Sequence, residues 1–237
     1  MRCLLLLLLM AVNVPAFTLI PISATLEPTG KGSATTFKIE NSSSNKVAFQ
    51  VSILTREMDA LGNETNQLVT NLFSVFPPQG TVPPMDSQTL RIVWKGDKIP
   101  GKELSFRLLA EELPVDFAPS GRGVHINMLV RYMGALYVCP KGAKPDVRFV
   151  KCEYRQVGGK NYLVLTLENK GKTHQVLSDA ALTLTPPEGA PVVLKGESLK
   201  GLEGENLLAE SLRHLVIECP PGLEGKALGV KVNLNVP

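Results

Sequence analysis

The chain has 237 residues, 44% of them hydrophobic, and a net charge of +3 at pH 7. That length suits one large or two small domains of ordinary globular composition. The weak positive charge is scattered, without the dense basic runs of a phosphate-binding surface, so nucleic acid is excluded as a partner.

The amino-terminal segment reads as an export signal. Arg2 precedes the apolar run Leu4–Leu9, and Val14-Pro15-Ala16 supplies a small-residue cleavage site, which predicts a signal peptide over Met1–Ala16. Polar Asn13 and Pro15 arrive before the roughly 20 apolar residues of a membrane span are complete, and no later segment is long and apolar enough to span after cleavage. Export removes Cys3 and leaves Cys139, Cys152 and Cys219, enough for one intramolecular disulfide at most. Cys152 and Cys219 are one candidate pair, and the fold must rest on its apolar core. The sequons Asn41-Ser42-Ser43 and Asn63-Glu64-Thr65 matter only if the exporting cell glycosylates.

Alternating apolar and polar residues then predict strands over Phe17–Leu26, Thr35–Glu40, Val47–Arg56, Asn71–Phe76, Ser87–Trp94, Leu104–Glu111 and Val124–Tyr132. In the last of these, Val124, Ile126, Met128, Val130 and Tyr132 share one face, opposite His125, Asn127 and Arg131. The segment from Pro114 to Gly123 before it reads as a loose loop. A long strand with an apolar row beside a loop is either a core strand or an edge that awaits a partner. Turn residues separate the seven strands and no helical stripe with caps occurs, which fits an immunoglobulin-like sandwich.

Cys139-Pro140-Lys141-Gly142 reads as a linker. Beyond it, strands are expected over Asp146–Tyr154, Asn161–Glu168, His174–Thr185, Pro191–Leu194, Leu212–Cys219 and Ala227–Val236, with turns at Gly158-Gly159, Asn169-Lys170-Gly171, Pro186-Pro187-Glu188-Gly189 and Pro220-Pro221-Gly222. The expected organisation is all-β: a signal peptide over 1–16, one sandwich over 17–139 and a second over 140–237.

Catalytic chemistry is absent from the pattern. His125, His174 and His214 have no metal-ligand spacing, and neither Cys-x-x-Cys, Gly-x-Ser-x-Gly nor a phosphate loop occurs. Glu111 and Glu112 point to opposite faces of a strand and cannot work as a paired acid and base. No metal, cofactor or enzymatic activity is expected, and Trp94 is read as packing.

The order of several short motifs resembles the periplasmic chaperones of the chaperone–usher pathway for pili and fimbriae. Phe17-Thr18-Leu19-Ile20-Pro21 is similar to the opening strand. Val75-Phe76-Pro77-Pro78 with Val82-Pro83-Pro84, Gln88 and Leu90-Arg91-Ile92 resembles the double-proline signature. Phe106–Pro114 is similar to the sixth strand, Leu136-Tyr137-Val138-Cys139-Pro140 to the hinge, and Leu167–His174 to a turn of the second domain.

The resemblance implies two tandem immunoglobulin-like sandwiches in a boomerang, a periplasmic location, and pilin or fimbrial subunits and an outer-membrane usher as partners. It implies that the seventh strand completes a subunit lacking its own final strand, with Val124, Ile126, Met128 and Val130 as the donor row. An edge of this kind also allows self-association. The best-known members hold the subunit's terminal carboxylate with an Arg on the first strand and a Lys late on the seventh, where this chain has Ser23 and Ala135. Divergent, archaic members use basic residues deeper in the sixth and seventh strands, which implies Arg107 and Arg131 as the anchor. Cys139 stands where many relatives carry an Arg, which removes the expected interdomain ion pair with Glu112. The alternative reading is a secreted two-domain adhesion or carbohydrate-binding protein. Loop-clustered aromatics would favour that reading, but aromatics make up only 5% of the chain and few lie in turns.

Overall fold

The computed structural model of the chain describes residues 17–115 and 129–233. Its first half carries β1 (Phe17–Ile20), β2 (Ser23–Leu26), β3 (Ala34–Asn41), β4 (Val47–Thr55), the short β5 (Glu57–Met58), β6 (Glu64–Thr65) and β7 (Leu68–Val69), then β8 (Phe73–Phe76), β9 (Gln79–Val82), β10 (Asp86–Trp94), β11 (Leu104–Leu113) and β12 (Arg131–Val138). One sheet has the order β1-β3-β10-β8. The facing sheet has the order β2-β12-β11-β4-β7, with β9 also on β4, and β5 and β6 form a separate hairpin. Phe17, Phe37, Ile39, Phe49, Leu90, Ile92, Leu108 and Leu136 are fully buried between the sheets.

The second half carries β13 (Val147–Val157), β14 (Lys160–Asn169), β15 (Gln175–Val176), β16 (Ala181–Thr185), β17 (Val192–Lys195), β18 (Asn206–Leu207), β19 (Ser211–Glu218) and β20 (Gly229–Asn233). Sheets β13-β14-β19 and β17-β16-β20 and the pair β15-β18 enclose a separate core rich in leucine, including Leu163, Leu165, Leu167, Leu182, Leu184 and Leu215. The chain is therefore all-β, with two sandwiches in tandem and, among the described residues, two single-turn 3-10 segments, Gly30–Ser33 and Gly196–Leu199.

Several expectations are corrected. The predicted strand Phe17–Leu26 is two strands in opposite sheets. Pro21 has a fixed φ and no N–H to donate, and the chain turns there. The inward parity flips at the turn, with Phe17 and Leu19 buried on β1 and Leu26 buried on β2. Of the predicted strand Val124–Tyr132, Arg131 and Tyr132 are strand and open β12. The strand β12 begins at Arg131 and runs through the residues read as a hinge, because Gly134, Leu136 and Val138 continue the inward row. Val124, Ile126 and Met128 lie outside the described residues. The predicted strand His174–Thr185 divides into β15 and β16, since Asp179 adopts φ 49°, outside extended geometry. The two-residue strands β5, β6, β7 and β18 and the short β9 carry too few residues for an alternation to register. Cys139, Cys152 and Cys219 are free thiols, so the candidate bridge is not formed. On the strand between them, Cys152 lies opposite Leu165, whereas the Cys219 amide donates to the Asn161 carbonyl.

The two sandwiches share one bracing device. Asn41 ends β3 fully buried, and its Nδ2 donates to the carbonyls of Asn45, Val82 and Pro83 while its Oδ1 accepts from the Ser43 amide. Asn169 ends β14 in the same way. Its Nδ2 donates to the carbonyls of Thr173, Leu207 and Leu208, and its Oδ1 accepts from the amides of Gly171 and Asp146. Each amide closes its own turn at i+2 and i+4 and ties that turn to two consecutive carbonyls far along the chain. Burial also removes Asn41 from reach as a glycosylation acceptor. Asn41→Ala and Asn169→Ala each strand several buried polar groups and are expected to cost about 3 kcal/mol. Denaturant unfolding checks this, and an unchanged midpoint in either variant would contradict it.

Candidate functional site

The candidate functional region is the β12 edge of the first sandwich. Its neighbour β2 runs parallel and covers only part of it, pairing Ser23–Leu26 with Ala135–Val138. The Ala135 amide donates to the Ile22 carbonyl at 2.8 Å and the Cys139 amide to Leu26 at 2.8 Å, so odd-numbered residues of β12 aim their backbone groups away from β11. By the same alternation, the N–H and C=O of Arg131 and Met133 point to the side that β2 leaves bare. Among the described residues β11 pairs with that stretch on one side and no strand pairs with it on the other. Ile20, Ile22, Leu129 and Met133, on or flanking the bare stretch, are exposed apolar side chains, at 40%, 56%, 49% and 42%. An open edge flanked by apolar side chains is a template for another strand.

Each implied donor and anchor residue has a definite place. Val130 is half-buried and packs with Tyr132 against the core of its own sandwich. Arg131 pairs with Glu111 through Nε at 2.8 Å, with its side chain 74% exposed. Arg107 faces Ala135 across the β11–β12 ladder while Arg131 faces Glu111, four registers away, or about 13 Å along the strand. The structure does not bring the two arginines together. It places Arg107 in one row with Ser23 and Ala135 across three strands.

The partner of Arg107 is Arg56, a residue that sequence reasoning passed over. Both converge on Glu64 of the β5–β6 hairpin. Arg107 donates from Nε to Oε2 at 2.9 Å and from Nη2 to Oε1 at 2.5 Å, and Arg56 donates from Nε to Oε1 at 2.8 Å. Two guanidinium groups against one carboxylate leave a net charge of +1 in a half-buried site. Burial acts to raise the Glu64 pKa, but the Arg107 hydrogen bonds and the charges of Arg56 and Arg107 outweigh it and hold the carboxyl below its usual range. No single-residue pattern marks Arg56. It stands just past an alternating strand and its partner lies eight residues on, in a segment without periodicity.

The same cluster leads across to the second sandwich. Arg56 Nη1 and Asn206 Nδ2 both donate to the Tyr137 hydroxyl, each at 2.8 Å, and the Tyr137 ring stacks on His174 with centroids 3.9 Å apart. His174 donates from its amide and from Nδ1 to Oε1 of Glu103, at 3.0 and 2.7 Å, and Thr173 donates to Oε2 at 2.5 Å. The Glu103 carboxylate is wholly buried. Burial pushes its pKa up, but bonds from His174 and Thr173 and the His174 charge prevail and lower it. Cys139 joins this network, donating to the Thr173 hydroxyl at 3.6 Å, and burial raises its pKa. The tip of the β5–β6 hairpin also crosses the junction. The His214 amide donates to the Ala60 carbonyl at 2.7 Å, and Arg213 packs on Met58.

The remaining expectations concern packing. Trp94 is buried against Phe73 and donates to the Asp97 carbonyl at 2.9 Å. Glu112 turns toward the Val130 amide within its own sandwich. Among the described residues there is no group of His, Cys, Asp and Glu that could hold a metal, and no helix is long and apolar enough to cross a membrane.

Residues 21–144 match the family model described as the pili and flagellar-assembly chaperone, PapD N-terminal domain. The chain belongs to this family and is an assembly chaperone for pili, not an enzyme. No curated protein matches the sequence. The fold is similar to that of the CsuC–CsuE chaperone–tip adhesion subunit pre-assembly complex from the archaic chaperone–usher Csu pili of Acinetobacter baumannii, at 19% identity over 90% of this chain and 97% of that one, with a TM-score of 0.59. It is also similar to the Salmonella enterica SafB chaperone complex with SafA pilin, at 17% identity over 94% and 98%, TM-score 0.55. The E. coli chaperone DraB matches at 21% identity over 87% and 85%, TM-score 0.54.

The buried Glu103 sets a pH dependence. An unfolded glutamate titrates near 4.5 and the folded Glu103 lower. Acid therefore protonates the unfolded chain first, and stability is present above 4.5 and falls as pH drops through the depressed folded value. Glu103→Gln is expected to flatten this acid limb and to lower stability at pH 7, as read by unfolding at a series of pH values. An unchanged acid limb would contradict the assignment.

Proposed function

We propose that this chain is a periplasmic chaperone, exported by cleavage of residues 1–16, that caps pilin or fimbrial subunits by lending them the β12 edge and hands them to an outer-membrane usher. Its two domains run over 17–139 and 140–237. The observation that carries this reading is the half-covered edge, where β2 protects Ala135–Val138 and leaves Arg131–Gly134 facing outward. A subunit lacking its last strand has an apolar groove with unpaired backbone on both sides. Strand addition satisfies those groups and this edge together. Side chains on the lent strand fill successive pockets, each large one worth about 1.5–3 kcal/mol. Val124, Ile126 and Met128 are the donor row, with Val130 at its base against the chaperone's own core. Folding of the subunit onto the strand supplies the free energy, so no nucleotide is needed.

Arg107 with Arg56 is the anchor for the subunit's terminal carboxylate in this reading. The net +1 charge of the cluster and its row shared with Ser23 and Ala135 support that choice over Arg131, which is engaged with Glu111. Bidentate arginine geometry suits a planar carboxylate.

Proline offers a clean test of the edge. Met133→Pro removes one outward N–H from an edge strand, a position that tolerates proline. The variant is expected to fold with near-unchanged melting and to recover at most about one tenth of the subunit that co-purifies with the parent chain. Equal recovery by a folded variant would reject strand lending through this edge.

A further inference from the structure

We propose that Glu64 is an internal occupant of the arginine site, a carboxylate that holds Arg56 and Arg107 in place until a guest carboxylate displaces it. The identity of the natural guest as a subunit's chain terminus rests on the function proposed above. The occupancy of the site by Glu64 does not.

The cations and the anion of this site are carried by different kinds of element. The cations are fixed by the sheet. Arg107 lies in the middle of the ten-residue β11, and Arg56 follows β4 with its amide bonded to the Ser105 carbonyl at 3.1 Å. The anion is not fixed in this way. Glu64 belongs to a two-residue strand whose ladder partner among the described residues is the two-residue β5, and the hairpin is closed by its own turn. In that turn Asp59 accepts from the amides of Leu61 and Asn63 and from the Asn63 side chain, each at 2.9 Å. Displacing Glu64 therefore breaks no ladder of either sandwich sheet, while the hairpin tip stays bonded to the second sandwich through Ala60 and Met58.

Exposure separates Glu64 from the other buried acid of the junction. The Glu64 and Arg107 side chains are each 19% exposed, whereas the Glu103 carboxylate has no exposure at all. Solvent and a guest can reach the first and not the second. Charge points the same way. One carboxylate against two guanidinium groups leaves a positive site that prefers a second anion, and a guest with two free oxygens can take over the bonds that Glu64 makes. Glu64 thus lowers the affinity of the empty site for stray anions and keeps two like charges from repelling across a half-buried space.

The same hairpin carries Ala60, whose carbonyl accepts the His214 amide from the second sandwich, and Gly62, where a Cβ would stand 2.4 Å from the Arg213 guanidinium. Release of Glu64 frees the base of the only described hairpin that reaches across the junction in this way.

The test needs no subunit. N-acetylglycine serves as a minimal chain-terminal carboxylate and its amide as the uncharged control. Both are titrated into the full secreted chain while the Nε–H resonances of Arg56 and Arg107 are followed by NMR. For Glu64→Gln, the expected result is saturable shifts at both arginines with the acid and none with the amide. The affinity should be about ten-fold higher than in the parent chain. Equal affinity in the two proteins, or shifts that spare Arg56 and Arg107, would overturn the proposal. Should Glu64→Gln fail to fold, Glu64→Asp keeps the charge on a shorter arm. It is expected to bind the acid more tightly than the parent, and parity with the parent would overturn the proposal equally. Failure here would leave strand lending by β12 standing, and failure of Met133→Pro would leave this result standing.

Discussion

The structure depends on how the first strand is divided. A continuous strand from Phe17 to Leu26 would lie in one sheet. The turn at Pro21-Ile22 instead sends β1 to pair with β3 and β2 to pair in parallel with β12 in the opposite sheet. The second piece is only four residues long and reaches back no further than Ala135. Among the described residues the edge of β12 is thus covered near the domain junction and unpaired toward Arg131. The same bend keeps Phe17, Leu19 and Leu26 all inward, so the open edge is built without loss of core. Open, apolar-flanked edges are a liability in a solitary protein, and a chain that retains one has a use for it.

The junction between the sandwiches is polar and continuous with that edge. Tyr137 lies on β12 itself, receives hydrogen bonds from Arg56 on one side and Asn206 on the other, and stacks on His174. Beneath it Glu103 gathers donors from Thr173 and His174 around a wholly buried carboxylate. A buried charge persists only when its oxygens are satisfied, and removal of a donor leaves the charge stranded, so such networks fix geometry more than they add stability. Glu64 and Glu103 play opposite parts in it. One is reachable and mounted on a hairpin, and the other is sealed beneath the stacked rings.

Much of the fold was legible because sheet faces write themselves as alternation. Phe49, Val51 and Ile53 on β4, Leu90, Ile92 and Trp94 on β10, and Leu163, Leu165 and Leu167 on β14 are all inward as their parity predicts. Alternation says nothing about where a run is cut, so the break at Pro21 and the break near Asp179 did not show. The site was half legible. Arg107 interrupts an apolar strand and calls for a partner, which sequence can register. Arg56 only closes the alternating run from Val47 and Glu64 lies outside any periodic segment, and the Glu64–Arg107 contact joins residues 43 positions apart. Arg131 interrupts its strand just as visibly, yet its register puts it opposite Glu111 rather than near Arg107. Register across a sheet is a tertiary property that one strand's pattern does not contain.

Amide hydrogen exchange at Arg131 and Met133, measured on the free chain and on its complex with a captured subunit, tests the central claim most directly. An open edge lent to a guest requires fast exchange at both amides in the free protein and strong protection in the complex, while the Ala135 amide, already bonded to Ile22, is protected in both. Slow exchange at Arg131 and Met133 in the monomeric free chain, or no added protection in the complex, would contradict the account.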